Sequence, residues 1–176
     1  MKWIYIVLDR SIVYSSGMSL KDVGKSFSYI NREQEEIFVQ ELLKRLNNNY
    51  MSIDGVLYSK DGKFLISYPI ASERDEYSVL DTVEEIQTYS ISSAKNLRKL
   101  YIKEGVTSLN YGSIYLCENL EELHLPKSLN KIDEYALEYN DKLKLIKYAS
   151  DKSDWDLIKI EDNNTILKSN NIKIKC

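Results

Sequence analysis

Histidine occurs once in this chain, cysteine and proline twice each, and glycine six times in 176 residues. Each scarcity excludes something. A single histidine, His124, leaves no His-based zinc site and few conventional catalytic triads. Two cysteines, Cys117 and Cys176, make no disulfide framework, and an apolar content of 43% removes the need for one. A cytosol or an oxidising space would suit these thiols equally. Little glycine and proline means no flexible linkers or collagen-like segments. No apolar run reaches the roughly 20 residues of a membrane helix, so no membrane insertion is expected. Lys+Arg 24 against Asp+Glu 27 gives a net charge of −3, too little positive field to hold a phosphate backbone, which excludes nucleic acid as the default partner. The apolar start from Trp3 to Leu8 is shorter than a signal-peptide core and is closed by Asp9 and Arg10. No export signal is expected in the sequence as given, and the cytoplasm is the default expectation, with Met1 weighing mildly against a trimmed leader.

Motifs that carry chemistry are equally scarce. Gly24-Lys25-Ser26 ends like a phosphate-binding loop, but that loop requires glycine where Ser19 stands. Asp151, Asp154, Asp156, Glu161 and Asp162 are acidic neighbours without the central glycine and final glutamate of a calcium loop, and read as a solvated face. Asn163 to Thr165 spells a glycosylation sequon to which we attach little weight. Cys117 reads as a packed thiol rather than a nucleophile, since it shows no adjacent base. Cys176 belongs to no motif. No enzyme, metal or cofactor is expected.

What the sequence does contain is a repeat. Residues 79–101, 102–124 and 125–147 align in three rows of 23 without insertion. Six apolar columns result: Val79/Ile102/Leu125, Val83/Val106/Leu129, Ile86/Leu109/Ile132, Ile91/Ile114/Leu137, Leu97/Leu120/Leu143 and Leu100/Leu123/Ile146. Small residues hold a seventh column, Ser90/Ser113/Ala136. A unit of this length cannot bury its own apolar side, so successive units must stack as turns of a solenoid with the columns as a continuous core. The stretch from Leu97 to Ile102 and its equivalents read as parallel strands. The other half of each unit, such as Ile132 to Leu137, reads as a short helical or 3₁₀ turn.

These rows resemble the BspA-like subfamily of bacterial leucine-rich repeats, whose unit places Ile-Pro, Val, Ile, Ala-Phe, Cys, Leu and Ile at fixed intervals. Leu125-Pro126, Leu129, Ile132, Ala136-Leu137, Leu143 and Ile146 follow that pattern, and Cys117 keeps the family cysteine where Ala94 and Asn140 stand in the neighbouring rows. Aliphatic residues at Ile91, Ile114 and Leu137 replace the usual aromatic. Residues 53–69, with Asp61-Gly62 as a tight turn, resemble the hairpin cap that opens such arrays, and residues 148–176 resemble the closing segment. The fold class implied is an α/β repeat: a right-handed leucine-rich-repeat solenoid over residues 51–176 with a parallel sheet on one face. An N-terminal α/β segment, residues 1–50, is appended. It comprises a strand from Trp3 to Leu8 and a helix from Arg32 to Leu46 capped by Asn31, and serves either as a cap or as a docking unit.

Outward residues of the expected strands form ladders. Glu76, Lys99, Glu122 and Leu145 alternate in charge and read as mutual neutralisation. Ser78, Tyr101, His124 and Lys147 form the next ladder, flanked by Leu80, Lys103, Pro126 and Ala149, a mixture that suits a binding surface. Tyr101, His124 and Lys147 are the expected contact residues, with Lys99, Glu122 and Lys103 beside them. Fourteen tyrosines add either recognition surface for protein or sugar, or core rings with tethered hydroxyls. By resemblance the function is non-catalytic recognition of a protein partner, as in surface or secreted adhesion and interaction proteins of bacteria, with carbohydrate as a second partner class. The alternatives are a repeat that targets an effector or regulatory activity in residues 1–50, and self-association through an uncovered solenoid end.

Overall fold

Aliphatic residues that recur every 23 positions can all be buried only if the backbone returns to the same side at that interval. In the computed structural model, which describes residues 49–169 and 171–176, it does so on three sides. The first side is a five-stranded parallel sheet of β4 (Glu76–Ser78), β7 (Lys99–Tyr101), β10 (Glu122–Leu125), β12 (Leu145–Tyr148) and β14 (Lys173–Lys175). Its register pairs Glu76 with Lys99, Lys99 with Glu122 and Glu122 with Leu145, so each strand meets its own equivalent in the next turn. The second side stacks β5 (Glu85–Ile86), β8 (Ser108–Leu109), β11 (Lys131–Ile132) and β13 (Lys159–Ile160), also parallel. The third is the pair β6 (Ile91–Ser92) and β9 (Ile114–Tyr115).

The expected helical or 3₁₀ half of each repeat is thus corrected to two short strands joined by turns. The physical reason is hydrogen bonding between turns. Gln87 N–H donates to Leu65 O, Asp133 N–H to Leu109 O and Ile114 N–H to Ala136 O, so these backbone groups are satisfied by the neighbouring turn before a helix could use them. About eight residues per side is also shorter than the roughly 12–15 below which an isolated helix is marginal in water. From Tyr50 onward, helical structure among the described residues is confined to the closing segment, in α1 (Lys152–Trp155) and a 3₁₀ turn (Thr165–Lys168).

The hairpin read in residues 53–69 is present as β2 (Val56–Ser59) and β3 (Phe64–Ser67), with β1 (Tyr50–Ile53) adding a third antiparallel strand. Gly62 turns the chain at φ 74°, while the Asp61 carboxylate accepts from Ser59 Oγ at 2.6 Å and Lys63 N at 3.1 Å. β3 then pairs parallel with β5, Leu65 facing Ile86, and so extends the second side. At the other end β14 pairs with β12, with Leu145 facing Lys173. That return is longer than a repeat, and α1 with the 3₁₀ turn occupies the difference. Of the acidic residues there, Asp151 caps α1 through Asp154 N at 3.0 Å, Asp156 pairs with Lys152 and Glu161 lies 2.5 Å from Lys159. The strand, helix and cap expected in residues 1–48 lie outside the described residues.

Every residue of the six apolar columns is buried, and each such side chain contributes about 1.5–3 kcal/mol relative to exposure. Tyrosine divides into two populations. Tyr58, Tyr68 and Tyr148 are core residues, and their hydroxyls are tethered to Tyr77, to Ser72 Oγ at 3.0 Å and to Lys127 O at 3.3 Å. Cys117 is also core, its Sγ 3.3 Å from Ile91 O. One turn on, Asn140 uses its buried amide to accept from Cys117 N at 2.9 Å and to donate to Ile114 O and Leu137 O at 2.8 Å. Asn164 plays a similar part in the closing turn, accepting from Leu137 N at 3.0 Å and donating to Asp133 O at 2.8 Å. Ser90 and Ser113 differ, since their buried hydroxyls have no partner among the described residues.

Two predictions follow from the core. Ala136 occupies the same column as the two serines, so Ser113→Ala should raise stability by about 1 kcal/mol by removing an unsatisfied buried hydroxyl, measured by urea denaturation; a loss of stability would contradict this account. Burial pushes the Cys117 thiol up to about 11, while Cys176 is exposed. A thiol reagent at about pH 8 should therefore modify one cysteine in the native protein and both in denaturant; fast native labelling of Cys117 would show that its turn opens.

Candidate protein-binding face

Alternation along β7, β10 and β12 turns Leu100, Leu123 and Ile146 inward and Lys99, Tyr101, Glu122, His124, Leu145 and Lys147 outward. Because the register is that of the repeat, Tyr101, His124 and Lys147 stand side by side on neighbouring strands. The Tyr101 and His124 rings stack with centroids 4.2 Å apart and planes inclined by 35°. Both rings help to line a hollow of ≈ 310 Å³, together with Lys103, Pro126, Lys147 and Tyr148 among others. Four of the six residues expected to bind a partner thus share one depression. Lys103 stands at its margin, 3.7 Å from Asp81.

Lys99 and Glu122 occupy the adjacent ladder and have different partners. Lys99 pairs with Glu76. Glu122 does not complete the alternating ladder with Lys99. Its Oε1 instead lies 2.6 Å from Lys147 Nζ and 2.5 Å from His124 Nε2. The hydrogen bond from Lys147 is the main reason that its carboxyl is held below the ordinary 4.5, and that from His124 adds to it against partial desolvation. One carboxylate therefore positions two of the expected contact residues. A further ladder adds to neutralisation along the sheet, with Glu121 bonding Arg98 at 2.8 Å and Lys144 at 3.2 Å.

The face also extends further than expected. Lys175 of β14 lies beside Lys147, and Lys173 beside Leu145. No 23-residue offset points to them, because the closing turn has a different length. Among the described residues no group of three or more His, Cys, Asp or Glu side chains is placed to hold a metal ion. Nor is any helix there long and apolar enough to cross a membrane.

Comparison with known proteins bears on this arrangement. The model of the BspA type leucine rich repeat region matches residues 73–173 in six copies. Among solved structures, a leucine-rich repeat protein from Eubacterium ventriosum is 35% identical, with a TM-score of 0.55 over 58% of this chain and 27% of its own length. The pneumococcal vaccine antigen PcpA is 26% identical, with a TM-score of 0.53 over 58% of this chain and 31% of its own. The chain thus spans less than a third of either protein. No curated protein matches it. The stacked turns, the buried columns and a family match over more than half of the residues together establish that the chain belongs to the BspA-type leucine-rich-repeat family, as a repeat protein-interaction module.

Proposed function

We propose that this chain captures a protein partner on its five-stranded sheet face and catalyses no reaction itself. Tyr101, His124 and Lys147 are the principal contacts in this reading, with Lys103, Lys99 and Glu122 around them. The observation that carries it is the hollow over that face, where an aromatic pair, a cation and Pro126 meet within one depression. Such a mixture combines contact area at low entropic cost with a charge that fixes orientation. The Glu122 carboxylate holds His124 and Lys147 in place before a partner arrives, which lowers the ordering cost of binding. Adhesion or host contact at a bacterial surface is the setting we infer, on the likeness to a pneumococcal vaccine antigen.

Affinity capture with the full chain as bait, from bacterial and host-cell extracts, should recover a saturable partner. The Tyr101→Ala, His124→Ala, Lys147→Ala triple variant should lose it by at least about tenfold while melting at an unchanged temperature. Undiminished capture by the folded variant would retire the sheet face as the site.

A second expectation concerns pH. Because the Glu122 carboxyl is held below 4.5 in the folded chain, its contribution to stability is complete above that value and is lost as pH falls through the depressed one. Glu122→Gln should flatten the fall in stability on acidification below about pH 4.5, followed by thermal melting. Identical acid profiles would show that Glu122 positions neither neighbour.

A further inference from the structure

The third side of the solenoid carries a feature that the sheet-face reading leaves unused. Five tyrosines meet there in one chain of ring contacts running Tyr135, Tyr111, Tyr89, Tyr115, Tyr139. Successive centroids lie 5.4, 5.6, 5.5 and 5.3 Å apart. Tyr89, Tyr111 and Tyr139 are 47%, 39% and 49% exposed, in contrast to the buried, tethered tyrosines of the core.

The repeat builds this cluster through its corners. Tyr89, Gly112 and Tyr135 share one column and Ser93, Leu116 and Tyr139 another, and all six residues have φ between 54° and 58°. These left-handed corners flank β6 and β9 and swing side chains away from the core. At the central turn Gly112 makes room, since a Cβ there would lie 2.4 Å from a carbon of the Tyr89 ring. The ring of Tyr89 accordingly closes over the backbone and reaches both Tyr111 and Tyr115.

The chemistry of the cluster is aromatic and negative. Hydrogen bonding to Tyr89 pushes the Tyr111 hydroxyl up, and desolvation does the same to Tyr115, so the phenols stay neutral. The charges that act on them, besides other phenols, are those of Glu134 on Tyr111 and Glu138 on Tyr115. Glu134 is exposed and makes no ion pair among the described residues. Glu138 accepts from Thr165 N at 2.8 Å and Thr165 Oγ1 at 2.6 Å, neutral donors that leave its charge in place. Ring faces are themselves electronegative and attract cations.

The geometry points to a second docking surface, which takes a lysine- or arginine-bearing segment of a partner protein, its cationic group set against the rings of Tyr89, Tyr111 and Tyr115 and countered by Glu134 and Glu138. Three of the four ring contacts are near-perpendicular, at 84–85°. Edge-to-face rings present no flat platform of coplanar faces on which a sugar could stack, while the ring faces left exposed attract a cation. Because this surface lies outside the five-stranded sheet, it stands or falls independently of the sheet-face proposal.

Calorimetric titration of the full chain with a blocked hexalysine peptide tests it, with the Nε-acetylated peptide and cellohexaose as controls. Hexalysine should bind and the acetylated peptide should not. Tyr89→Leu and Tyr115→Leu should each weaken binding about two- to fivefold, Tyr89→Phe should retain it, and Glu134→Gln should weaken it by a comparable factor. Asp75→Asn makes the same change of net charge beside the five-stranded sheet and should have no effect. Equal loss in Asp75→Asn and Glu134→Gln with silent leucine variants would reduce the attraction to general charge and overturn the proposal. Binding of acetylated hexalysine as tight as that of hexalysine, or of cellohexaose alone, would overturn it as well. The leucine variants should melt at the wild-type temperature, which separates loss of the ring from loss of fold, and the phenylalanine variant separates loss of the ring from loss of the hydroxyl.

Discussion

Each backbone turn of this molecule is satisfied by the next. Parallel hydrogen bonds on three sides join residues of successive turns, most of them 22 to 24 apart in the repeats, and the same stacking removes six columns of aliphatic side chains from water. Neither contribution is available to one unit alone. Burial fixes which residues face inward, and the hydrogen bonds fix the register. Together they leave the outer surface as the only part of each turn free to vary.

That constraint explains why both candidate surfaces are ladders. A residue placed outward in one turn lies one strand spacing from its equivalent in the next, so Tyr101, His124 and Lys147 become neighbours without any dedicated loop. The five-stranded side collects a mixed aromatic and cationic strip over a hollow. The third side, with only two residues per strand, instead exposes its left-handed corners and the tyrosines they carry. Two surfaces of different chemistry thus come from one winding. A repeat that presents both could engage a partner at two points, where the second contact gains from the first through effective concentration.

Polar groups inside the solenoid follow the same logic. Position 140 could have been another small or thiol residue like Ala94 or Cys117, yet an asparagine there satisfies backbone groups of two turns at once. A buried amide is tolerable because all of its bonding atoms are used. The serines of the small column are the opposite case, buried with no partner for their hydroxyls among the described residues.

The winding, its interval, the inward columns and the identity of the outward neighbours were all legible in the sequence, because apolar periodicity is a direct consequence of burial on stacked turns. The sheet-face residues could be named for the same reason: an offset of 23 that aligns cores also aligns ladders. What the other half of each unit would be could not be read, since an Ile followed by polar residues suits a helical turn or a short strand, and hydrogen bonding to the adjacent turn decided for strand. The partners of Glu122 were hidden too. Spacing assigned it to Lys99 across the strand, whereas side-chain reach and competition from Glu76 turned it to Lys147 and His124. Lys175 and the tyrosine cluster depended on the length of the closing turn and on left-handed corners, neither of which has an apolar period. The sequence by itself thus determined which residues are inside and which share a ladder. Only the tertiary structure decided which of those neighbours touch, because contact is settled by side-chain direction and by rivals from other turns.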